Sequence, residues 1–284
     1  METPPFAMND EPRHQSEYDS DQVEAARRVL IDLGQVLGAF QDCLVVVGGW
    51  VPDLLIPEAE EPHVGSIDVD LALDAEKLND GRYAEILKLL IETRRYRPGE
   101  KPFQLLTDVD LQNGGKPLQV EVEFLAPKEV KLKKRKPKLL ENFRVLQADG
   151  CGTAFNAPVQ VEIAGHTIRG AQNRVRLRVA SLPDFLVMKA HALDGRDKPK
   201  DAYDICYCLG NFPGGIGSLA GAWRQRHDDE DVKRAIRILA EKFATVESFG
   251  PRQVVEFLGL ANGAEQEMQA RRAFELVQSL LKLI

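Results

Sequence analysis

Apolar residues recur at Val23, Ala26, Val29, Leu30, Leu33, Val36 and Leu37, so the spacing predicts a helix over 21–40. The next apolar run, Leu44 to Val47, is short, unbroken and rich in valine, as expected of a strand buried on both faces. Gly48 and Gly49 end it, and Trp50 to Ile56 reads as a helix start with Pro52 tolerated in the first turn. From Ser66 to Leu73 polarity alternates strictly: Ile67, Val69, Leu71 and Leu73 point one way, Ser66, Asp68 and Asp70 the other. A helix is predicted at about 81–95, and strands at 103–111 and 118–125, split by the turn signal Asn113-Gly114-Gly115. Shorter strands are expected at 143–148, 158–164 and 174–180. After Ser181 the texture changes to helices, at about 182–194, 200–209, 231–246, 251–260 and 264–283.

These elements suggest three stretches. Residues 1–20, dominated by Pro, Asp, Glu and Ser, read as a disordered acidic tail. Residues 21–180 form a mixed α/β part, and 181–284 an all-helical C-terminal part.

With 44% hydrophobic and 29% charged residues among 284, the chain is globular, and disorder of the whole is excluded. No apolar run approaches the ~20 residues of a membrane-spanning helix. The N-terminus has no basic flank followed by an apolar core, so a cytoplasmic protein without a membrane partner is expected. Four Cys make no disulfide framework and read as buried thiols. The net charge of −7 is uneven: residues 1–24 carry −6, and 128–138 carry +6. Lys131, Lys133, Lys134, Arg135, Lys136 and Lys138 in that basic block are the candidate surface for an RNA backbone, giving affinity rather than base readout. The five His show no H-x-x-x-H spacing, and there is no G-x-S-x-G and no G-x-x-x-x-G-K-[ST]. A zinc site, a Ser/His/Asp hydrolase and a P-loop NTPase thus lack their signatures.

Three pieces carry chemistry together. A strand ending in Gly48-Gly49 lets backbone approach a ligand closely, and the helix that follows offers free N–H groups to phosphate. In Gly65-Ser66-Ile67-Asp68-Val69-Asp70 the two carboxylates share one strand face about 6.6 Å apart. At an effective dielectric near 20 they repel by about 2.5 kcal/mol, unless water or a cation screens them. Such oxygen donors suit Mg²⁺, which takes one or two carboxylates plus substrate phosphates. A later strand, Gln119 to Leu125, puts Glu121 and Glu123 on its polar face, a possible third carboxylate. Further on, Ser181 and Asp184 form an S-x-x-D helix start. Lys189 lies in the apolar stripe of that helix, and Arg196, Lys198, Asp201 and Asp204 follow.

The ordered set of Gly-Gly, G-S-x-D-x-D and a later carboxylate resembles the polymerase-β-type nucleotidyltransferases. With the pattern K-x(6)-R-x-K-x-x-D-x-x-D from Lys189 to Asp204, the chain resembles the AbiEii nucleotidyltransferases, the toxin-type component of type IV toxin–antitoxin systems. The resemblance implies a mixed α+β nucleotidyltransferase core with a mixed sheet, followed by a helical part. It implies transfer of an NMP unit from NTP, with Mg²⁺ as cofactor, to an acceptor hydroxyl, with tRNA or another RNA as candidate acceptor and a cognate antitoxin as candidate partner. By position, Gly48, Gly49 and Ser66 would contact the triphosphate, with Arg196 and Lys198 nearby. Asp68 and Asp70 would hold metal, with Glu123 as third carboxylate and Glu121 as the other candidate. Lys189 would neutralise phosphate charge, and Asp201 and Asp204 would support it or hold the helical part to the core. The family usually has Asp where Glu123 stands, which keeps open a non-catalytic nucleotide- or RNA-binding member, or an interaction protein held by a partner.

Overall fold

A computed structural model describes residues 12–74, 77–78, 82–128, 145–261 and 263–284. The basic residues Lys131, Lys133, Lys134, Arg135, Lys136 and Lys138 lie outside the described residues.

Eight strands form one mixed sheet: β1 (Leu44–Val47), β2 (Asp68–Leu73), β3 (Arg97–Pro98), β4 (Gln104–Val109), β5 (Leu118–Pro127), β6 (Leu146–Ala148), β7 (Val159–His166) and β8 (Gln172–Val179). Their order is β3-β4-β5-β2-β1-β8-β7, and β6 pairs with the end of β5, past the point where β4 stops. β2–β5, β1–β8 and β5–β6 run parallel, the other pairs antiparallel. The register sets Asp68 beside Glu121 and Asp70 beside Glu123. All four carboxylates therefore share one sheet face, and Val69, Leu71, Val120, Val122 and Phe124 are buried on the other.

That apolar face is covered by α1 (Ser20–Val36), which touches β2, β4, β5, β7 and β8. Gly34 lets it come close: an added Cβ would stand 2.8 Å from Leu177 and Val175. The helix ends at Val36, and residues 38–43 form a 3₁₀ turn instead of its last turn. α2 (Trp50–Leu55) and α3 (Arg82–Glu92) follow β1 and β2.

After β8 the described chain is helical: α4 (Leu182–Gly195), α5 (Pro199–Gly210), α6 (Ile216–Arg224), α7 (Glu230–Lys242), α8 (Phe249–Phe257) and α9 (Ala264–Leu283). Ser181 caps α4 as its spacing predicts, its Oγ accepting the Asp184 N–H at 3.3 Å. α4 is buried almost all round and not along one stripe, because it lies between α5, α7, α2 and the 151–155 turn. One continuous hydrophobic cluster runs from Val69 and Phe124 in the sheet through Phe185 in α4 to Trp223 in α6 and Val277 in α9. In 12–20, read from composition as tail, Arg13 pairs with Glu256 at 2.6 Å and the Tyr18 ring meets Phe257 at 5.6 Å. Its charges find partners on the helical part, which composition alone does not register.

Candidate active site

The site lies where the end of β1 meets β2 and where the α4–α5 corner packs over that edge. Gly48 sits at φ +69°, and a Cβ there would fall 2.0 Å from Asp70 Oδ2. Only glycine lets the turn pass the carboxylate so closely. Gly49 is enclosed as well: an added Cβ would lie 2.7 Å from Ser66 Oγ and 3.0 Å from Lys200 Nζ. Trp50 ties the turn to the carboxylate strand, its Nε1–H donating to the Asp68 carbonyl at 2.7 Å. Ser66 is buried and donates its hydroxyl to Asp68 Oδ1 at 2.5 Å.

The carboxylates differ in charge state. Burial opposes ionisation of Asp68, but Lys198, the Ser66 hydroxyl, Lys200 and Lys189 outweigh it and hold its pKa below the ordinary value. Burial, with Asp68 and Glu123 alongside, pushes Asp70 up to about 8. Burial also raises Glu123, with Asp68 and Glu121 adding to it against Lys101. Lys101 Nζ is 3.3 Å from Glu123 Oε1, and Gln104 Nε2 donates to Glu121 Oε2 at 2.5 Å. Of the two, Glu123 is the one whose charge acts on Asp70, while Glu121 is bonded to Gln104.

Among the described residues, no three His, Cys, Asp or Glu side chains are arranged to hold a metal ion by themselves. The donor set still fits one of the Mg²⁺ type. Asp68 and Asp70 supply oxygens two residues apart on one face, mutually repelling, and such ions complete their shell with water and phosphate.

Facing the carboxylates is a cluster of cations. Lys189 is buried, its Nζ 2.7 Å from Asp201 Oδ1 and 2.8 Å from Asp204 Oδ2. Burial alone would discharge it, but these two carboxylates raise its pKa instead. Arg196 grips Asp201 with two bonds of 2.7 and 3.0 Å. Burial disfavours the Asp201 charge, yet Lys189 and Arg196 bring its pKa to about 2. Asp204 is fully buried; its Oδ1 accepts from Lys200 Nζ at 2.7 Å and from His63 Nε2 at 2.9 Å. It therefore joins α5, α4 and the loop before β2. Lys198 is half-buried at the start of α5 and is the main positive charge acting on Asp68. Beside it opens a pocket of about 510 Å³ lined by Arg13, His14, Glu17, Asp197 and Lys198.

The structure thus brings together Gly48, Gly49, Ser66, Asp68, Asp70, Glu123, Lys198 and, behind them, Lys189, Arg196, Asp201 and Asp204. Sequence reasoning missed Lys200, Lys101, His63 and Tyr18. Lys200 sits four residues before Asp204 on a helix, a spacing that also describes an ordinary surface pair; only the tertiary packing sets it against Gly49.

A family model described as nucleotidyl transferase AbiEii toxin, type IV TA system, matches residues 39–275, a span that holds every carboxylate and cation of the cluster. No curated protein and no solved structure matches the chain.

Proposed function

The chain belongs to the AbiEii family of nucleotidyl transferase toxins of type IV toxin–antitoxin systems, and on that premise we propose that it transfers an NMP unit from NTP to an acceptor hydroxyl. The observation that carries this reading is a two-pole site: Asp68, Asp70 and Glu123 on one side, Lys198 and its neighbours on the other, and the Gly48–Gly49 turn between them. A metal–triphosphate has the complementary polarity, metal toward carboxylate and phosphate toward lysine.

Asp68 and Asp70 would hold a divalent cation of the Mg²⁺ type, which when bound supplies positive charge to the phosphate oxygens. The Gly48–Gly49 turn and Ser66 would lie along the triphosphate. The pocket beside Lys198 is large enough for the nucleoside. Glu123 would accept the proton of the acceptor hydroxyl as its oxygen bonds to the α-phosphorus. The bond from that phosphorus to the bridging oxygen then breaks, and pyrophosphate leaves. Lys198 would stabilise the charge that develops, as preorganised cations do in phosphoryl transfer. An RNA, tRNA among the candidates, is the proposed acceptor, and a cognate antitoxin the proposed partner.

The test is incubation with Mg²⁺, each α-labelled NTP and total bacterial RNA, resolved on a denaturing gel. Label on an RNA band is expected, and its loss in Asp68→Ala and Asp70→Ala proteins that keep the wild-type circular dichroism. Label that persists in both variants, or none with any NTP, overturns the reading.

A further inference from the structure

Lysines 189 and 200 both reach Asp204, but they stand differently toward the Gly48–Gly49 turn. Lys189 Nζ is held between two carboxylates at 2.7 and 2.8 Å and lies 5.6 Å from the Phe185 ring centroid. Lys200 Nζ has one carboxylate, Asp204, at 2.7 Å. It lies 3.0 Å from where a Gly49 Cβ would be, in a space shared with the Ser66 hydroxyl. The Tyr18 ring, 5.6 Å away, lies across the ammonium. An ammonium has three N–H donors, and Asp204 takes one of them.

The corner gathers several positive charges around few carboxylate oxygens. Lys189, Arg196, Lys198 and Lys200 gather around the buried carboxylates Asp201 and Asp204, and Lys198, Lys200 and Lys189 act on Asp68 as well, while His63 beside them is neutral. The second carboxylate is already shared by both lysines. Lys200 is the buried cation nearest the turn, so an anion lying there would meet its ammonium first.

We propose that Lys200 is a phosphate-binding residue of this site, donating to the triphosphate over the Gly49 turn beside Ser66, while Lys189 holds Asp204 in place beneath it. This assignment rests on the nucleotide reading above and deepens it. The N-terminal stretch enters the site through Tyr18, whose ring face favours a cation there.

The test is calorimetric titration of the full chain with each NTP and, separately, with inorganic tripolyphosphate, in Mg²⁺. Tripolyphosphate reports the phosphate contacts without the base. Lys200→Met keeps most of the unbranched stem and removes the charge. It is expected to weaken both NTP and tripolyphosphate binding by about tenfold or more, the scale of a charged hydrogen bond. Lys200→Arg is expected to restore most of the loss. Gly49→Ala leaves every charge intact but fills the space between Ser66 Oγ and Lys200 Nζ, and is expected to weaken tripolyphosphate binding too. It covers the case in which Lys200→Met fails to fold. Lys189→Met is expected to lower the melting temperature, because Asp201 and Asp204 each lose a charged partner. Wild-type binding in Lys200→Met or in Gly49→Ala overturns the assignment while leaving the nucleotide reading intact. A wild-type protein that binds none of the NTPs overturns the nucleotide reading itself, and this assignment with it.

Discussion

His63 accepts the Gly65 N–H on Nδ1 at 3.1 Å, so its proton sits on Nε2 and points at Asp204 Oδ1. Burial, with Lys200 and Lys189 close by, lowers its pKa to about 4, although Asp204 pulls the other way. The ring stacks on Tyr203 and meets the edge of Tyr207, which leaves no room for a hydrated imidazolium. The consequence for stability has a definite sign. Between pH 6.5 and about 4 the unfolded chain takes up a proton at this position that the folded chain refuses. Stability from this group is therefore complete above pH 6.5 and declines as pH falls toward 4, by about 3 kcal/mol in all. Asp70, which keeps a proton in the folded state up to about pH 8, favours the folded state at low pH across the same window. The readout must then be a difference. Urea unfolding of wild type and of His63→Gln, repeated from pH 8 to pH 4, should show the wild-type protein losing ground to the variant as pH falls. A constant difference across the range would refute a neutral buried His63.

At the scale of elements, α6 shows what patterning does not reach. Its sequence, Ile216-Gly217-Ser218-Leu219-Ala220-Gly221-Ala222-Trp223-Arg224, has two glycines and a serine, residues of low helix propensity, and no long apolar face. It is helical because its end is bolted to the start of α4. Trp223 is fully buried and donates Nε1–H to the Pro183 carbonyl at 3.2 Å. Just beyond it, Arg226 pairs with the buried Asp184 and, at 2.7 Å, with Asp229. Trp223→Ala should cost about 3–5 kcal/mol, the range for deleting a large buried ring. Guanidinium unfolding would measure it, and a loss below about 1 kcal/mol would show that α6 holds without its anchor. The strongly periodic elements were legible because their pattern and their packing agree. β2 and β5 alternate as their register requires, and α1 shows the stripe that lies on the sheet. The pairing of Asp70 with Glu123 was open to a conditional argument only, since nothing in either strand says that they are neighbours. β3, two residues long, carries no period at all.

For the whole molecule, the decisive fact is that the two poles of the site come from different parts of the chain. Asp68, Asp70 and Glu123 stand on the sheet; Lys189, Lys198, Lys200, Asp201 and Asp204 stand on or beside α4 and α5. The change of texture near 180 marks where strands give way to helices, but the hydrophobic cluster crosses it without a break. Phe185, Leu186, Val187 and Ala190 of α4 are each at most 1% exposed. Cutting the chain at 180 would open that helix to water and strip His63 of Asp204. Burial of a large apolar side chain is worth roughly 1.5–3 kcal/mol, and a domain has only about 5–15 kcal/mol to lose. The fragments 1–180 and 181–284 should therefore fail to unfold cooperatively when heated alone, whereas the full chain gives a single transition. Scanning calorimetry of the three proteins decides it. A cooperative transition in the 181–284 fragment would make the helical part a domain in its own right, and the cation pole would then be something it brings to the sheet ready-made. With no transition in either fragment, neither pole forms without the other, and Lys200 acquires its place over Gly49 only when the last helices close the core.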